Sequence, residues 1–160
     1  MELKITPNLW FDMGKAEEAA EFYVSIFENS KVTAIRRYPE GSPGPAGEVM
    51  TVEFELDGVP FIAINGGPQF SFSEAVSFMV TCEDQAEIDY FWEKLTDGGE
   101  ESQCGWLRDR FGVAWQIVPR GMDDVFDDDD PARAQRAFAA MMPMKKLDVE
   151  VLRAAAAGES

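Results

Sequence analysis

Two stretches decide the fold: NLWFDMGKAEEAAEFYVSIF, residues 8–27, and SFMVTCEDQAEIDYFWEKLT, residues 77–96. They align without a gap at a constant offset of 69 residues, which places Asn8 on Ser77, Phe22 on Phe91 and Tyr23 on Trp92. Each begins with a strand pattern and continues with apolar residues at helical spacing. An internal match of this kind is typical of a structural duplication.

The segments that follow each helix repeat the same order of elements. In the first half, KVTAIRRY, VMTVEFEL and VPFIAIN are predicted strands, and Asp57–Gly58 is a hairpin turn between the last two. In the second half, GWLRDRFGVAWQIV predicts two strands around a turn, and EESQC is a candidate short strand. The prediction is an α+β fold of two βαβββ modules, about residues 1–66 and 67–120, followed by an acidic linker and C-terminal helices over 121–160.

Composition excludes several classes of function. The chain has 160 residues and a net charge of −16, so it would repel nucleic acid, and the same charge disfavours an anionic membrane surface. It has no apolar run long enough to cross a membrane and no secretory signal pattern. Its two cysteines, Cys82 and Cys104, have no CxxC spacing and are interpreted as reduced thiols of a cytoplasmic protein.

The absence of histidine from the sequence restricts the possible chemistry. It excludes Ser-His-Asp and Cys-His catalysis and removes the commonest ligand of transition metals. A metal would have to be held by oxygen or sulfur, and any acid or base would be Asp, Glu, Lys, Tyr or Cys.

One polar residue interrupts the last predicted strand, DRFGVAWQIVP, residues 109–119. Gln116 is an uncharged amide within an apolar run, either satisfied by neighbouring backbone or facing a ligand. The charged residues before it, Arg108, Asp109 and Arg110, are interpreted as an exposed turn.

The region after Pro119 has a different character. Asp127 to Asp130 is interpreted as a solvated acidic run, and Asp130–Pro131 starts a helix that continues to about Met142 and resumes near Leu147. The tail residues Met141, Met142 and Met144 form a candidate apolar surface for a second subunit, so we predict a homodimer.

The order βαβββ occurs twice, and the chain contains the stretches INGGPQFSFSEAVSFMVTCED, WQIVP and MMPMKKLD. In these features the chain resembles the vicinal-oxygen-chelate superfamily of glyoxalases, dioxygenases and bleomycin-resistance proteins. The closer resemblance is to its PhnB-like branch, which carries the label 3-demethylubiquinone-9 3-methyltransferase. The resemblance implies a curved mixed sheet that encloses a cleft, with metal ligands, commonly His and Glu, on the first and last strands of each module.

The residues at three of the implied metal positions are Asn8, Ser77 and Gln116. The fourth position falls near Ile62 or Ala63, neither of which can ligate a metal, and Asn65 is the nearest polar residue. Neutral amides and hydroxyls bind divalent cations weakly but suit hydrogen bonding to an organic ligand. We therefore predict no metal and no cofactor. The predicted ligand-binding residues are Asn8, Trp10, Asn65, Ser77, Phe78, Trp115 and Gln116.

Three functions remain open, and the sequence does not decide whether the chain is an enzyme. The first is a small-molecule-binding protein of the bleomycin-resistance type that sequesters its ligand without a tightly bound metal. The second is a metal-dependent lyase, isomerase or dioxygenase. The third is the methyltransferase that the branch label suggests, although FDMGKAEEAAEF, after the first strand, has one glycine rather than a glycine-rich turn.

Overall fold

The computed structural model describes residues 3–126 and 129–159. The chain divides into two compact units, residues 1–71 and 72–160, which are treated separately below. The predicted boundary between the modules, near residue 66, lies close to this division. The C-terminal helices, which we predicted as a separate region, belong to the second unit.

The first unit has the predicted order of elements: β1 (Asn8–Phe11), α1 (Lys15–Ile26), β2 (Lys31–Arg37), β3 (Val49–Leu56) and β4 (Val59–Asn65). Its described strands form one sheet in the order β1-β4-β3-β2, in which β1 is parallel to β4 and the other pairs are antiparallel. Asp57 and Gly58 both have positive φ, 47° and 75°, as a tight hairpin between β3 and β4 requires.

The core of the first unit lies between α1 and one face of this sheet. The small residues Ala16, Ala19 and Ala20 are buried on α1 and allow the helix to approach the strands closely. Tyr23 stacks on Phe54, which stacks in turn on Phe61 across the β3–β4 pair. The alternate residues of β3, including Glu53 and Glu55, therefore lie on the opposite face.

The second unit repeats this arrangement with β5 (Ser77–Cys82), α2 (Gln85–Thr96), β6 (Glu100–Glu101), β7 (Trp106–Arg108) and β8 (Ala114–Pro119). Among the residues described, its sheet has the order β5-β8-β7-β6, with β5 parallel to β8. Ser77 starts β5 as Asn8 starts β1, so the aligned residues occupy equivalent places. The duplication and the α+β class are confirmed, and each half contains a mixed sheet.

The core of the second unit lies on the α2 side of its sheet. Ile88, Trp92 and Leu95 are buried on α2, and Leu107, Trp115 and Ile117 are buried on the strands. Cys82 is fully buried at the end of β5, and burial raises the pKa of its thiol to about 12. This thiol is therefore protonated and unreactive at neutral pH.

Among the residues that the structure describes after β8, three further helices form: α3 (Met122–Phe126), α4 (Pro131–Met141) and α5 (Val149–Ala157). The predicted helix that starts at Asp130–Pro131 is confirmed, with the Asp130 carboxylate accepting hydrogen bonds from the Ala132 and Arg133 amides. The predicted acidic run falls partly on residues 127 and 128, which lie outside the described residues. None of the described helices is long and apolar enough to cross a bilayer.

The segment between α4 and α5 is fixed to the sheet of the second unit. The Cys104 and Gly105 amides donate to the carbonyls of Met144 and Lys145 at 2.8 and 2.7 Å. Leu147 is fully buried and forms a cluster with Val118 and Leu152. The C-terminal helices are thus anchored at their centre by backbone hydrogen bonds and by apolar packing.

Candidate functional site

Gln116 lies on the face of the second sheet that points away from α2. Its neighbours Trp115 and Ile117 are buried on the α2 side, so the alternation of β8 turns Gln116 and Val118 to the other face. Gln116 lies opposite Met79 of β5 and Trp106 of β7. Its Nε2 donates to Oγ of Ser77 at 2.9 Å, and its Oε1 has no partner within the described part of the chain.

A cavity of about 710 Å³ covers this face of the sheet. Gln116, Met79, Thr81 and Trp106 form its floor, and α3 and α4 form the opposite wall with Phe126, Ala134, Gln135, Phe138 and Met141. Met79 remains 62% exposed, so the cavity is open to solvent. Its volume and mainly apolar lining, with a few polar groups, are those of a small-molecule site.

The helical wall was missed in the sequence analysis, although the sequence contained a signal for it. Ala134, Phe138 and Met141 recur at spacings of four and three residues, which places them on one face of α4. Phe126 and Phe138 make an edge-to-face contact with ring centroids 6.3 Å apart, which links α3 to α4. The apolar face of α4 thus forms one wall of the cavity. The sequence had suggested a contact with a second subunit for Met141, at the end of this helix.

The predicted ligand-binding residues of the second unit divide between the two faces of its sheet. Gln116 is on the cavity face with Ser77 as its hydrogen-bond partner, whereas Trp115 is 3% exposed and donates from Nε1 to Oδ2 of Asp109 at 2.8 Å. Phe78 packs on the Trp115 ring at 5.5 Å. Trp115 is therefore occupied within the core, and we do not include it or Phe78 in the proposed site.

Asp109 is also buried, which corrects the expectation that it belongs to an exposed turn. Its Oδ1 accepts hydrogen bonds from the Phe111 and Val113 amides at 2.8 and 3.1 Å. Together with the Trp115 indole, these donors hold the carboxylate inside the fold at 3% exposure. Its role is to shape the turn that leads into β8.

The predicted residues of the first unit have internal partners. Asn65 is 1% exposed: its Oδ1 accepts from the Ala16 amide, and its Nδ2 donates to Glu17 Oε2 and to the Val49 carbonyl. It fixes the start of α1 to the sheet, because β4 turns it to the helix side, and we do not carry it into the proposed site.

Asn8 and Trp10 lie on the other face of the first sheet. Asn8 is exposed and donates to the Thr6 carbonyl at 3.0 Å. The Trp10 indole donates to the Gly67 carbonyl at 2.9 Å and meets the Phe70 ring at 5.1 Å. A Cβ at Gly66 would lie 2.2 Å from the Trp10 ring, so this packing requires glycine there. The expectation that Asn8 and Trp10 share one cleft with Gln116 stays a prediction.

The donor set does not fit the divalent metal that the resemblance implies. Gln116 and Ser77 are neutral and bonded to each other. Trp10 of β1 corresponds to Met79 of β5, and the residues paired with them are Ile64 and Gln116. Ile64 is therefore the equivalent of Gln116 in the first unit, and its alkyl side chain cannot ligate a metal. Within residues 3–126 and 129–159, no three His, Cys, Asp or Glu side chains form a group that could hold a metal. Divalent cations require charged or imidazole ligands, and the inferred positions offer none.

The family model and the related structure that match this chain carry the same family description. The model of the 3-demethylubiquinone-9 3-methyltransferase family matches residues 3–118. The PhnB protein of Bacillus cereus, whose name carries the same methyltransferase description, is 39% identical; the match covers 73% of this chain and 99% of that one, with a TM-score of 0.66. No curated protein matches the chain.

More distant structures share the fold. A protein from Pseudomonas aeruginosa, 23% identical over 74% of this chain and 98% of its own, has a TM-score of 0.60. The fosfomycin resistance protein FosX of Listeria monocytogenes, solved with Mn(II) and sulfate, is 12% identical over 78% of this chain and 94% of its own, with a TM-score of 0.52. The fold is thus shared with FosX, and the chain belongs to the 3-demethylubiquinone-9 3-methyltransferase family, together with the PhnB protein.

Proposed function

We propose that the protein binds a small organic molecule in the cavity of its second unit, without a tightly bound divalent metal. The observation that carries this proposal is the cavity of about 710 Å³ with a mainly apolar lining, in which the Gln116 amide is fixed by its hydrogen bond to Ser77. The unpartnered Oε1 of Gln116 offers an acceptor to a ligand N–H or O–H group. Burial of apolar ligand surface would supply most of the affinity, and the amide would orient the ligand.

Binding can be tested with the neutral fluorophore N-phenyl-1-naphthylamine, which becomes bright in apolar surroundings. We expect a saturable fluorescence increase that a chelator does not change. Ala134→Trp should weaken the increase strongly because the indole would occupy part of the cavity from α4. Ala139→Trp, the same change at an exposed position of α4, is the matched control and should bind like the wild type. Equal binding by the two variants would contradict the proposed site.

The polar pair is tested separately. Gln116→Leu should change the affinity for a bound ligand without unfolding the protein, because the side chain is half-buried and faces the cavity. Gln69→Leu makes the same change at an exposed position of the first unit and serves as the control. Unchanged affinity in Gln116→Leu would refute the orienting role of the amide.

The competing function is methyl transfer, which the family description supports. The sheet of the first unit has parallel and antiparallel pairs and is not a doubly wound parallel sheet. The turn from β1 to α1 contains one glycine, Gly14. These features do not match the usual site for S-adenosylmethionine. Saturable binding of S-adenosylmethionine in calorimetry would favour this alternative over simple ligand binding.

A further inference from the structure

The cavity lining has a one-sided charge distribution. Of the described residues that line it, Asp123 on α3 carries the one charged side chain, and none is Lys or Arg. The lining consists otherwise of aromatic, sulfur-containing, aliphatic and small side chains, with the amides of Gln116 and Gln135 and the hydroxyl of Thr81. An anionic ligand would therefore lose its hydration without gaining a cationic partner.

Three basic side chains of the second unit are engaged in contacts outside the cavity. Arg120, which follows β8, pairs with Glu83, and this hydrogen bond holds the pKa of the Glu83 carboxyl below its usual range. Lys145 pairs with Glu101 at 3.7 Å, and Arg136 of α4 donates to the Ala155 and Ala156 carbonyls at the end of α5. None of these three belongs to the cavity lining as described.

The aromatic side chains provide a complementary surface for a cation. Trp106 lies on the cavity floor, and Phe126 and Phe138 meet edge to face on the helical side. The faces of aromatic rings carry partial negative charge and attract cations, most strongly where water is excluded. The net charge of −16 adds a long-range attraction that would concentrate cations near the protein.

We propose that the cavity selects ligands that combine an apolar body with a positive charge and rejects anions of the same shape. This inference rests on the proposed function and deepens it by naming the ligand class. The apolar body would lie against Trp106, Phe126 and Phe138, and the charge would lie toward Asp123 at the α3 side. The acceptor of Gln116 would bind an N–H group of the ligand.

The test uses two ions of the same size and opposite charge, tetraphenylphosphonium and tetraphenylborate, in calorimetric titrations of the full chain. We expect the cation to bind at least about tenfold more tightly than the anion at low salt, which corresponds to about 1.4 kcal/mol. The difference should shrink as the ionic strength rises, because exposed charges are screened.

Two variants separate the cavity from the overall charge. Asp123→Asn should weaken binding of tetraphenylphosphonium about three- to tenfold, as expected for one exposed charge near the ligand, and should affect the neutral N-phenyl-1-naphthylamine less than the cation. Asp124→Asn removes the same charge from the next residue of α3, which does not line the cavity, and should have a smaller effect.

The outcomes distinguish failure of this inference from failure of the proposed function. If the neutral fluorophore binds but the two ions bind equally, or the anion binds more tightly, the charge selection is wrong and the binding site stands. If the Asp123 and Asp124 variants weaken cation binding equally, the preference arises from overall charge and the inference about the cavity is wrong. If none of the three probes binds, the proposed function itself fails.

Discussion

At the scale of single residues, Asp109 shows how a charged side chain becomes part of a core. The sequence RDRFG predicts a solvated turn, because charged residues around a glycine are usually exposed. The carboxylate is instead surrounded by the Phe111 and Val113 amides and the Trp115 indole. Such a role depends on donors that the fold brings together, and no sequence pattern marks it.

Loss of the Asp109 carboxylate should therefore destabilise the protein strongly. Asp109→Ala would leave buried N–H groups without an acceptor, and we expect the free energy of unfolding to fall by about 3 kcal/mol. Urea denaturation followed by tryptophan fluorescence measures this change. Glu93→Ala, at an exposed position of α2, is the control and should stay within about 0.5 kcal/mol of the wild type. A small effect of Asp109→Ala would mean that the turn relaxes to admit water.

The same scale shows why the predicted site residues lie on different faces of their sheets. The alternation of β8 places Gln116 and Trp115 on opposite faces, and the alternation of β4 does the same for Ile64 and Asn65. The sequence reveals this alternation but does not say which face meets a helix. The burial of Trp115 and Ile117 in the structure was needed to decide.

At the scale of elements, the longer strands and helices could be predicted because their apolar residues recur with a clear period. The helix α4 was predicted from its aspartate cap and its first-turn proline. The five-residue helix α3 was predicted as linker, because it is too short for a periodic pattern and its first turn contains two aspartates.

The attachment of α5 depends on one side chain of α2. Gln85 donates from Nε2 to the Leu147 carbonyl at 3.0 Å, and its Oε1 accepts from the Val149 amide at 2.9 Å. In Gln85→Ala, hydrogen exchange at the Val149 amide should become at least about tenfold faster, because the amide loses its acceptor. Exchange measured by NMR resolves this residue, and Gln103→Ala, at an exposed position, is the control. An unchanged rate at Val149 would show that packing of Leu147 alone holds the helix.

At the scale of the whole molecule, the duplicated order of elements was predictable because each half repeats the same alternation of strand and helix periods. How many chains associate was not, since the surface that the sequence offered for a partner is partly used internally. Met141 lines the cavity, and Met144 packs on the cluster around Leu147. Met142 remains 50% exposed, beside Phe138 at 52%.

The homodimer stays a prediction that sedimentation velocity can test. We expect the wild type to sediment as a dimer at micromolar concentration and Met142→Glu to sediment as a monomer, because a charge would be buried in the contact. Val151→Glu makes a comparable change at another exposed apolar residue, 48% exposed on α5, and should leave the dimer intact. A monomeric wild type would refute the prediction.

The two sides of the cavity are formed by different parts of the chain. The floor lies on strands within the part that the family model matches, which ends at residue 118, whereas the opposite wall is formed by described residues of α3 and α4, among them Phe126 and Phe138. The B. cereus relative is matched over 99% of its length by 73% of this chain. Under the proposed function, substitutions in α3 and α4 would change the ligand preference while the strands of the matched part stay as they are. An engineer who wishes to redirect the cavity would begin by randomising the inward positions of α4.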